Sequence, residues 1–487
     1  MSVILTADRT LMSNYHSNEF IGFGTTAPAN VFPNWFYQRL FFPPIKTKKG
    51  IPIQAPYGLR KVEAQLLNEG FNVLTVDPDH LARYIDDAKV LGIHTMDPFG
   101  LGPSSTTFAK ILRTGEPYLA TYFRATLAKP EIRKAKRRGL KIIVGGSGAW
   151  QFKHYPEFLD KYGIDCVIDG ESEKVVGKIF RMAMDGEELP RFYDVDLKDV
   201  PSLDEIPDIK YPSINGLIEI GRGCCRGCKF CSVTLRPLRW YPLDKIEREI
   251  KVNWKSGIHG QILHAEDVLL YGSPNTIPDP EKVLRLHRLC KSFGGGIGWS
   301  HASLASVAVN PKLIENVSEI IVDDRQKWWG AEIGIETGSP ELIKKTMPAK
   351  THPFKPEEWP EVVKTAAGIL TDNNFVAACT LVVGLPEETE GDLIKTIELI
   401  DDLKDFKSVI VPLFFVPLGR LKDKDWFKFE QMTPLHRELL LKCLRHDIYW
   451  VRVILKSYFE GQWQGPLLSP LYRLFIWLVR YKARAYL

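Results

Sequence analysis

Ile218-Glu-Ile-Gly-Arg-Gly-Cys-Cys-Arg-Gly-Cys-Lys-Phe-Cys231 runs from a short apolar strand into a loop where Cys224, Cys228 and Cys231 have C-x3-C-x2-C spacing. Three thiolates this close suit one four-iron cluster and leave its fourth iron open, so a small molecule can coordinate there and receive an electron. The competing reading is a zinc site completed by Cys225 or a distant residue. Structural zinc sites favour paired C-x2-4-C or histidine motifs, and no second pair is present. Cys225, next to Cys224 but outside the spacing, reads as a bystander.

Downstream, short apolar runs at Ile262–Ala265, Ile297–His301, Ala331–Ile335 and Ala378–Val383 alternate with helical patterns at Asp244–Lys255, Pro280–Ser292, Pro340–Thr346 and Glu390–Leu403. Five or six such β–α units predict a partial or complete barrel, with the cysteine loop following its first strand. Active sites of such barrels gather at the carboxyl ends of the strands. After about Pro417 the chain reads as mostly helical.

Upstream, Val3–Thr6, Phe71–Val76, Val90–His94, Lys141–Val144 and Cys166–Ile168 read as strands, with helical stretches such as Gly58–Glu69 and Pro130–Arg138 between them. This alternation predicts an open, doubly wound parallel sheet. Asp97, Gly100 and Gly102 lie in one loop at a strand end, and Gly145, Gly146 and Gly148 follow another strand. Ligands of such sheets bind beyond the carboxyl ends of the strands, so these loops read as a cofactor cradle. The prolines at 201, 207 and 212 mark a linker.

At 487 residues the chain is too long for one core. A net charge of +5 gives no ground for a nucleic-acid partner. Four of the eight cysteines fall within eight positions and the others are scattered, which points to a reducing cytosol and not to a disulfide framework. The first residues carry no signal-peptide pattern, and nowhere do about 18 uncharged apolar residues run together. The expectation is a cytoplasmic protein, at most peripheral at the inner face of the membrane.

On the cysteine loop the chain resembles the radical S-adenosylmethionine superfamily, and Phe230 matches an aromatic often found before the last cysteine. His264-Ala-Glu-Asp267 resembles the second-strand motif that holds the methionine amino group. Gly334-Ile-Glu-Thr-Gly-Ser339 resembles a Gly-Ile-Glu-Ser-Gly-Ser motif, and Val383-Gly-Leu-Pro-Glu-Glu-Thr389 a Gly-Leu-Pro-Gly-Glu-Thr loop near adenine, with Glu387 in place of the glycine. The resemblance implies a [4Fe-4S] cluster on Cys224, Cys228 and Cys231, with Glu266, Asp267, Glu336 and Gly384 contacting S-adenosylmethionine. It also implies reductive cleavage to a 5′-deoxyadenosyl radical, with electrons from an external donor. The N-terminal part, with Val144–Gly148 and Asp165–Glu173, resembles the cobalamin-binding domain of class B members. That implies cobalamin beside Asp97, Gly100, Gly102, Gly145, Gly146, Gly148, Gly170 and Glu171. No Asp-x-His-x-x-Gly supplies a lower cobalt ligand, and His80 and His94 lack that context; a degenerate domain without cobalamin is the alternative. The expected fold class is thus α/β, with a cobalamin-binding-like doubly wound domain at 1–190, a linker at 191–214, a radical SAM barrel at 215–410 and a mostly helical region at 411–487.

Two stretches bear on the substrate. Val31–Pro44 is dense in aromatics, and Pro470–Leu487 places Arg473, Arg480 and Arg484 at helical spacing among aromatic and aliphatic residues, with no acid after Glu460. The second reads either as a docked helix or as an amphipathic helix in peripheral contact with a membrane. These greasy ends favour a long apolar substrate, and the expected activity is carbon–carbon bond formation in archaeal tetraether lipids, giving cyclopentane rings. The alternative is C-methylation of a protein residue, such as a glutamine or arginine of methyl-coenzyme M reductase; a third class is a redox or cobalamin-sensing module. Tyr241, Tyr271 and Cys379 are candidate hydrogen relays, and the sequence does not choose among them.

Overall fold

Val3–Ala7, buried along its whole length, forms strand β1 inside a six-stranded parallel sheet. The other strands are β2 (Val73–Thr75), β3 (Val90–His94), β4 (Lys141–Gly145), β5 (Cys166–Asp169) and β6 (Phe192–Asp194), in the order β2-β1-β3-β4-β5-β6. A strand buried on both faces has to be covered twice. Val3 and Leu5 lie in one apolar cluster with Leu59 and Leu66 of helix α1 (Tyr57–Asn68). Ile4 lies in a second cluster with Ile132 and Ala135 of α2 (Pro130–Arg137), whereas Ile179 and Phe180 of α3 (Val176–Asp185) belong to the first. This is the doubly wound sheet expected from the sequence. The strand order reverses between β1 and β3, where such sheets open a ligand crevice.

The computed structural model describes residues 2–111, 115–459 and 465–483. It divides into one unit of Met1–Ile218 with Asp244–Gly260 and another of Glu219–Leu243 with Gln261–Leu487. Strand β6 falls within the stretch read as linker. Asp244–Gly260 stands in sequence among the barrel elements, yet most of its helix, α4 (Leu243–Lys255), groups with the first unit. Glu249 holds it there, accepting a hydrogen bond from Tyr57 Oη at 2.7 Å and pairing with buried Lys61.

Strand β7 (Leu217–Glu219) straddles the boundary, with only Glu219 in the second unit, which contains β8 (Gln261–His264), β9 (Ile297–Trp299), β10 (His301–Ala302), β11 (Trp329–Glu336), β12 (Phe375–Val383) and β13 (Ser408–Phe414). They form two runs, β9-β8-β7 and β10-β11-β12-β13. Ser300 bridges them: its amide donates to Leu263 O, and its carbonyl accepts from Glu332 N, both at 2.9 Å. Counting β9 and β10 as one interrupted strand gives six staves of a partial barrel. The sixth, β13, was not evident in the sequence because Pro412 weakens its pattern, and proline in a sheet belongs at an edge. Helices α5 (Pro280–Phe293), α6 (Pro340–Thr346), α7 (Trp359–Asp372) and α8 (Glu390–Asp402) lie between the strands, and α9 (Pro434–Phe459) and α10 (Gly465–Ala483) follow. Asp447 of α9 covers the edge of β13 by accepting from Ile410 N at 2.7 Å. Among the described residues no helix is long and apolar enough to cross a membrane.

Candidate active site

The cysteine loop leaves β7 and is held from several sides. Its Lys229 amide donates to Thr346 O at 2.9 Å, and Arg420 N donates to Lys229 O at 2.7 Å. Gly419 permits the second contact, since a Cβ there would stand 2.7 Å from Cys231 O. Thr234 Oγ1 donates to the carbonyls of Cys228 and Cys231, at 3.2 and 2.9 Å.

Arg226, inside the loop, is the main fastener. Its guanidinium donates to Asp267 Oδ2 at 3.2 Å, to Ser306 Oγ at 2.7 Å and to Lys350 O at 2.9 Å. Ser306 Oγ in turn donates to Asp267 Oδ2 at 2.7 Å. All three side chains are buried, so this network ties the loop to the end of β8, the helix Leu304–Val309 and the stretch after α6.

Burial pushes the Cys224 thiol up to about 12 and the Cys228 thiol up to about 11, and it raises Cys231 as well. As free groups they therefore keep their protons near neutral pH, and iron has to displace those protons to bind. Cys228 is buried whereas Cys224 and Cys231 keep partial exposure. Three thiols on one short loop are the donor set that a cluster held by three thiolates would need.

Two acidic side chains meet this loop. Glu266 lies where its charge acts on Cys224, Cys231 and His301. Glu336, at the end of β11, has φ +66°, left-handed backbone that costs a non-glycine residue about 1–2 kcal/mol. Its side chain is held on both oxygens, by Lys350 Nζ at 2.9 Å and Thr380 Oγ1 at 3.2 Å. Gly334 makes room, because a Cβ there would stand 1.9 Å from Glu336 Oε1. The charges of Lys350 and Arg226 both act on Cys228.

Gly384 opens the loop after β12, where its amide donates to Glu388 Oε2 at 2.9 Å, and His436 Nε2 lies 3.0 Å from the same oxygen. With Trp426 and Phe427 these residues line a cleft of about 430 Å³. Glu387, standing where the motif has glycine, adopts φ +68°. Glu387→Gly is therefore expected to stabilise the protein by about 0.5–1 kcal/mol, read as a higher urea midpoint. The exposed Lys345 contact it forfeits, at 3.6 Å, contributes little.

Sequence reasoning missed Lys350, Arg226 and a histidine–glutamate group on the strands. His301 Nε2 lies 3.5 Å from Glu332 Oε2, and the His264 ring lies 5.9 Å from the His301 ring. The signal was the alternation of Glu332, Gly334 and Glu336 with buried Ile333 and Ile335 along β11. Burial opposes charge on His301, but Glu332, assisted by Glu266, lifts it to about 9. The folded value exceeds the ordinary one, so this stabilisation is complete below about pH 6.5 and lost as pH rises through about 9. His301→Gln is expected to flatten the fall of the thermal midpoint across that window. The effect is modest because the His301 side chain is 35% exposed.

In the first unit, Asp97 Oδ1 accepts from Gly102 N at 3.0 Å and Gln151 Nε2 at 2.6 Å, joining the loops after β3 and β4. Gly146 and Gly148 let those loops meet, since a Cβ at either would stand 2.4 Å from Thr95 O or Met96 O. Gly100 lies in the Asp97 loop, Gly145 ends β4, and Gly170 and Glu171 follow β5. Thr95 Oγ1, just beyond β3 at the switch point, is buried without a hydrogen-bond partner, the kind of orphan that a ligand or water satisfies. Desolvation pulls the half-buried His94 down to about 4, and His80 lies 3.1 Å from Asp77.

Comparison with known proteins places the barrel. Residues 218–400 match the Radical SAM superfamily. The chain is 22% identical over 320 residues to the tRNA-2-methylthio-N(6)-dimethylallyladenosine synthase of Thermosipho africanus, covering 62% of this chain and 66% of that protein. It is 25% identical over 381 residues to a Methanocaldococcus jannaschii protein bearing a methylthiotransferase name, covering 73% of this chain and 75% of that one. The chain spans 58–66% of the length of the first three relatives it matches. Among solved structures it resembles the radical S-adenosylmethionine methyltransferase TsrM from Kitasatospora setae, a structure with cobalamin and a [4Fe-4S] cluster bound. The TM-score is 0.55 at 14% identity, over 86% of this chain and 77% of that one, so the likeness is one of fold. A partial barrel following a doubly wound sheet is thus the fold that this chain shares with that enzyme.

Proposed function

We propose that this chain is a cobalamin-dependent radical SAM enzyme that transfers a methyl group to an unactivated carbon. The observation that carries the reading is the gathering of three half-buried or buried thiols with Glu266, Glu336 and Lys350 about a loop at the mouth of a six-stave barrel. Cys224, Cys228 and Cys231 would hold a [4Fe-4S] cluster, which supplies the electron for reductive cleavage of S-adenosylmethionine. Glu266 would be the acceptor for an ammonium group; Asp267 Oδ2 is engaged by Arg226 and Ser306, while its buried Oδ1 has no hydrogen-bond partner and is a second acceptor. Lys350 and Thr380 hold the Glu336 carboxylate, which would accept from the ribose hydroxyls, and the Gly384 loop would lie against the adenine. The crevice between β1 and β3, with Thr95 and the Asp97, Gly146 and Gly170 loops, would receive cobalamin as the carrier of the methyl group. Support comes from the two domains that this chain and TsrM have in common, and from the methyl-group chemistry in the relatives' names.

A second reading, ring-forming carbon–carbon bond formation in tetraether lipids, is favoured by the exposed apolar side chains of α9 and α10. Product analysis separates the two. After anaerobic reconstitution with a reductant, methyl transfer from S-adenosylmethionine must leave S-adenosylhomocysteine, alongside 5′-deoxyadenosine from the radical step. Ring closure yields 5′-deoxyadenosine alone. Deuterium from a CD3-labelled methyl donor appearing in a protein or other acceptor supports the first reading, and 5′-deoxyadenosine without S-adenosylhomocysteine refutes it.

A further inference from the structure

Helices α9 and α10 pack against each other, and α10 buries Tyr472 and Ile476. The sides left outward are unusual for water. Among the described residues fifteen large apolar side chains are exposed, and five of them are Tyr449, Val453, Leu474, Trp477 and Tyr481 on these two helices. Trp477 and Tyr481 stack one helical turn apart, with ring centres 5.6 Å apart and planes 17° apart, forming an aromatic platform at 56% and 58% exposure. Exposed Arg452, Lys456, Arg473 and Arg480 accompany them. The described residues 448–459 and 465–483 contain no Asp or Glu.

We infer that the outward side of α9 and α10 is a docking surface for an anionic lipid bilayer, on which α10 lies parallel to the membrane plane. Neither helix is apolar enough to cross a bilayer. Aromatic rings settle at the headgroup level, with a polar end toward water and an apolar face toward the acyl chains. Arginine and lysine on the same segment find acidic headgroups there. A second copy of the chain suits the surface less well. In a two-fold contact the patch meets itself, so Arg473 and Arg480 would be brought against the partner's equivalent cations with no acid of these segments to neutralise them. The docking surface serves methyl transfer and lipid chemistry alike and does not depend on either.

The test is flotation of the full-length protein with vesicles of phosphatidylglycerol and, separately, of phosphatidylcholine. Expected is recovery with the anionic vesicles that falls as salt rises, and little with the neutral ones. Leu474→Glu/Trp477→Glu should lower the vesicle affinity at least tenfold. Arg473→Gln/Arg480→Gln should lower it on the order of tenfold at low salt and flatten the salt dependence. These side chains are exposed, so circular dichroism and the thermal midpoint should be retained; Trp477→Ala/Tyr481→Ala provides a milder pair should the double glutamate variant misfold. Equal binding to neutral vesicles, or full binding by these variants, overturns the proposal. It is overturned equally if Trp477→Ala/Tyr481→Ala changes the oligomeric state by light scattering while vesicle binding stays as in the parent protein.

Discussion

Cys228→Ala is expected to abolish reductive cleavage of S-adenosylmethionine, with 5′-deoxyadenosine formation falling by at least on the order of 10³-fold. Cys228 is the most buried of the three thiols, and the charges of Lys350 and Arg226 act on it. Its loss would remove one of the three proposed ligands, so iron and acid-labile sulfide should drop together in the reconstituted protein. Cys225→Ala is the matched control. It alters a neighbouring thiol outside the C-x3-C-x2-C spacing and should retain iron and sulfide. Full iron content in Cys228→Ala, or its loss in Cys225→Ala, would reassign the ligands.

Arg226→Leu is expected to cost about 3–5 kcal/mol of stability, read as a lowered denaturant midpoint. The substitution leaves the buried Asp267 carboxylate with only Ser306 among its side-chain donors here, and it frees the carbonyl of Lys350. An uncompensated buried charge, more than the lost attraction, accounts for the size of the effect. Asp267→Asn should be milder, because it removes the charge while keeping polar atoms near Arg226 and Ser306. If Arg226→Leu left the midpoint within about 0.5 kcal/mol of the parent, a loss typical of surface positions, the fastening role would be wrong.

Legibility followed how local the physics was. The thiol spacing, the strand before it and the glycine-rich turns are written within a few consecutive residues, and they were readable as such. Glu336 was readable as a motif residue. Its partner Lys350 was not, because it lies fourteen positions on in a loop without periodicity and is brought back only by the strand–helix fold. Asp267 shows the same limit from the other side. Its charge and its place beside Glu266 suggested a cofactor contact, and the structure adds that one of its oxygens, Oδ2, is engaged by Arg226 and Ser306 while Oδ1 has no hydrogen-bond partner. The glycines at 146 and 148 were read as space for a ligand, and the space at those two positions is taken by the neighbouring loop.

The C-terminal helix divides similarly. Its amphipathic pattern was visible, but the pattern alone left a docked helix and a membrane-facing one open. The structure uses both sides, burying Tyr472 and Ile476 and leaving Leu474, Trp477 and Tyr481 outside. Arg484, the third arginine of that pattern, lies outside the described residues.

By itself the sequence determined the α/β class, the alternation that builds a doubly wound sheet and a barrel, and the C-x3-C-x2-C spacing of three cysteines on one loop. These depend on residue type and spacing along a continuous stretch. Only the tertiary structure decided that the barrel has six staves, that α4 groups with the first unit, and which carboxylates are engaged and which remain available. The reason is that pairing buried charges and covering a strand edge join residues far apart in sequence, and the partner of a buried charge is fixed by where the folded chain places it.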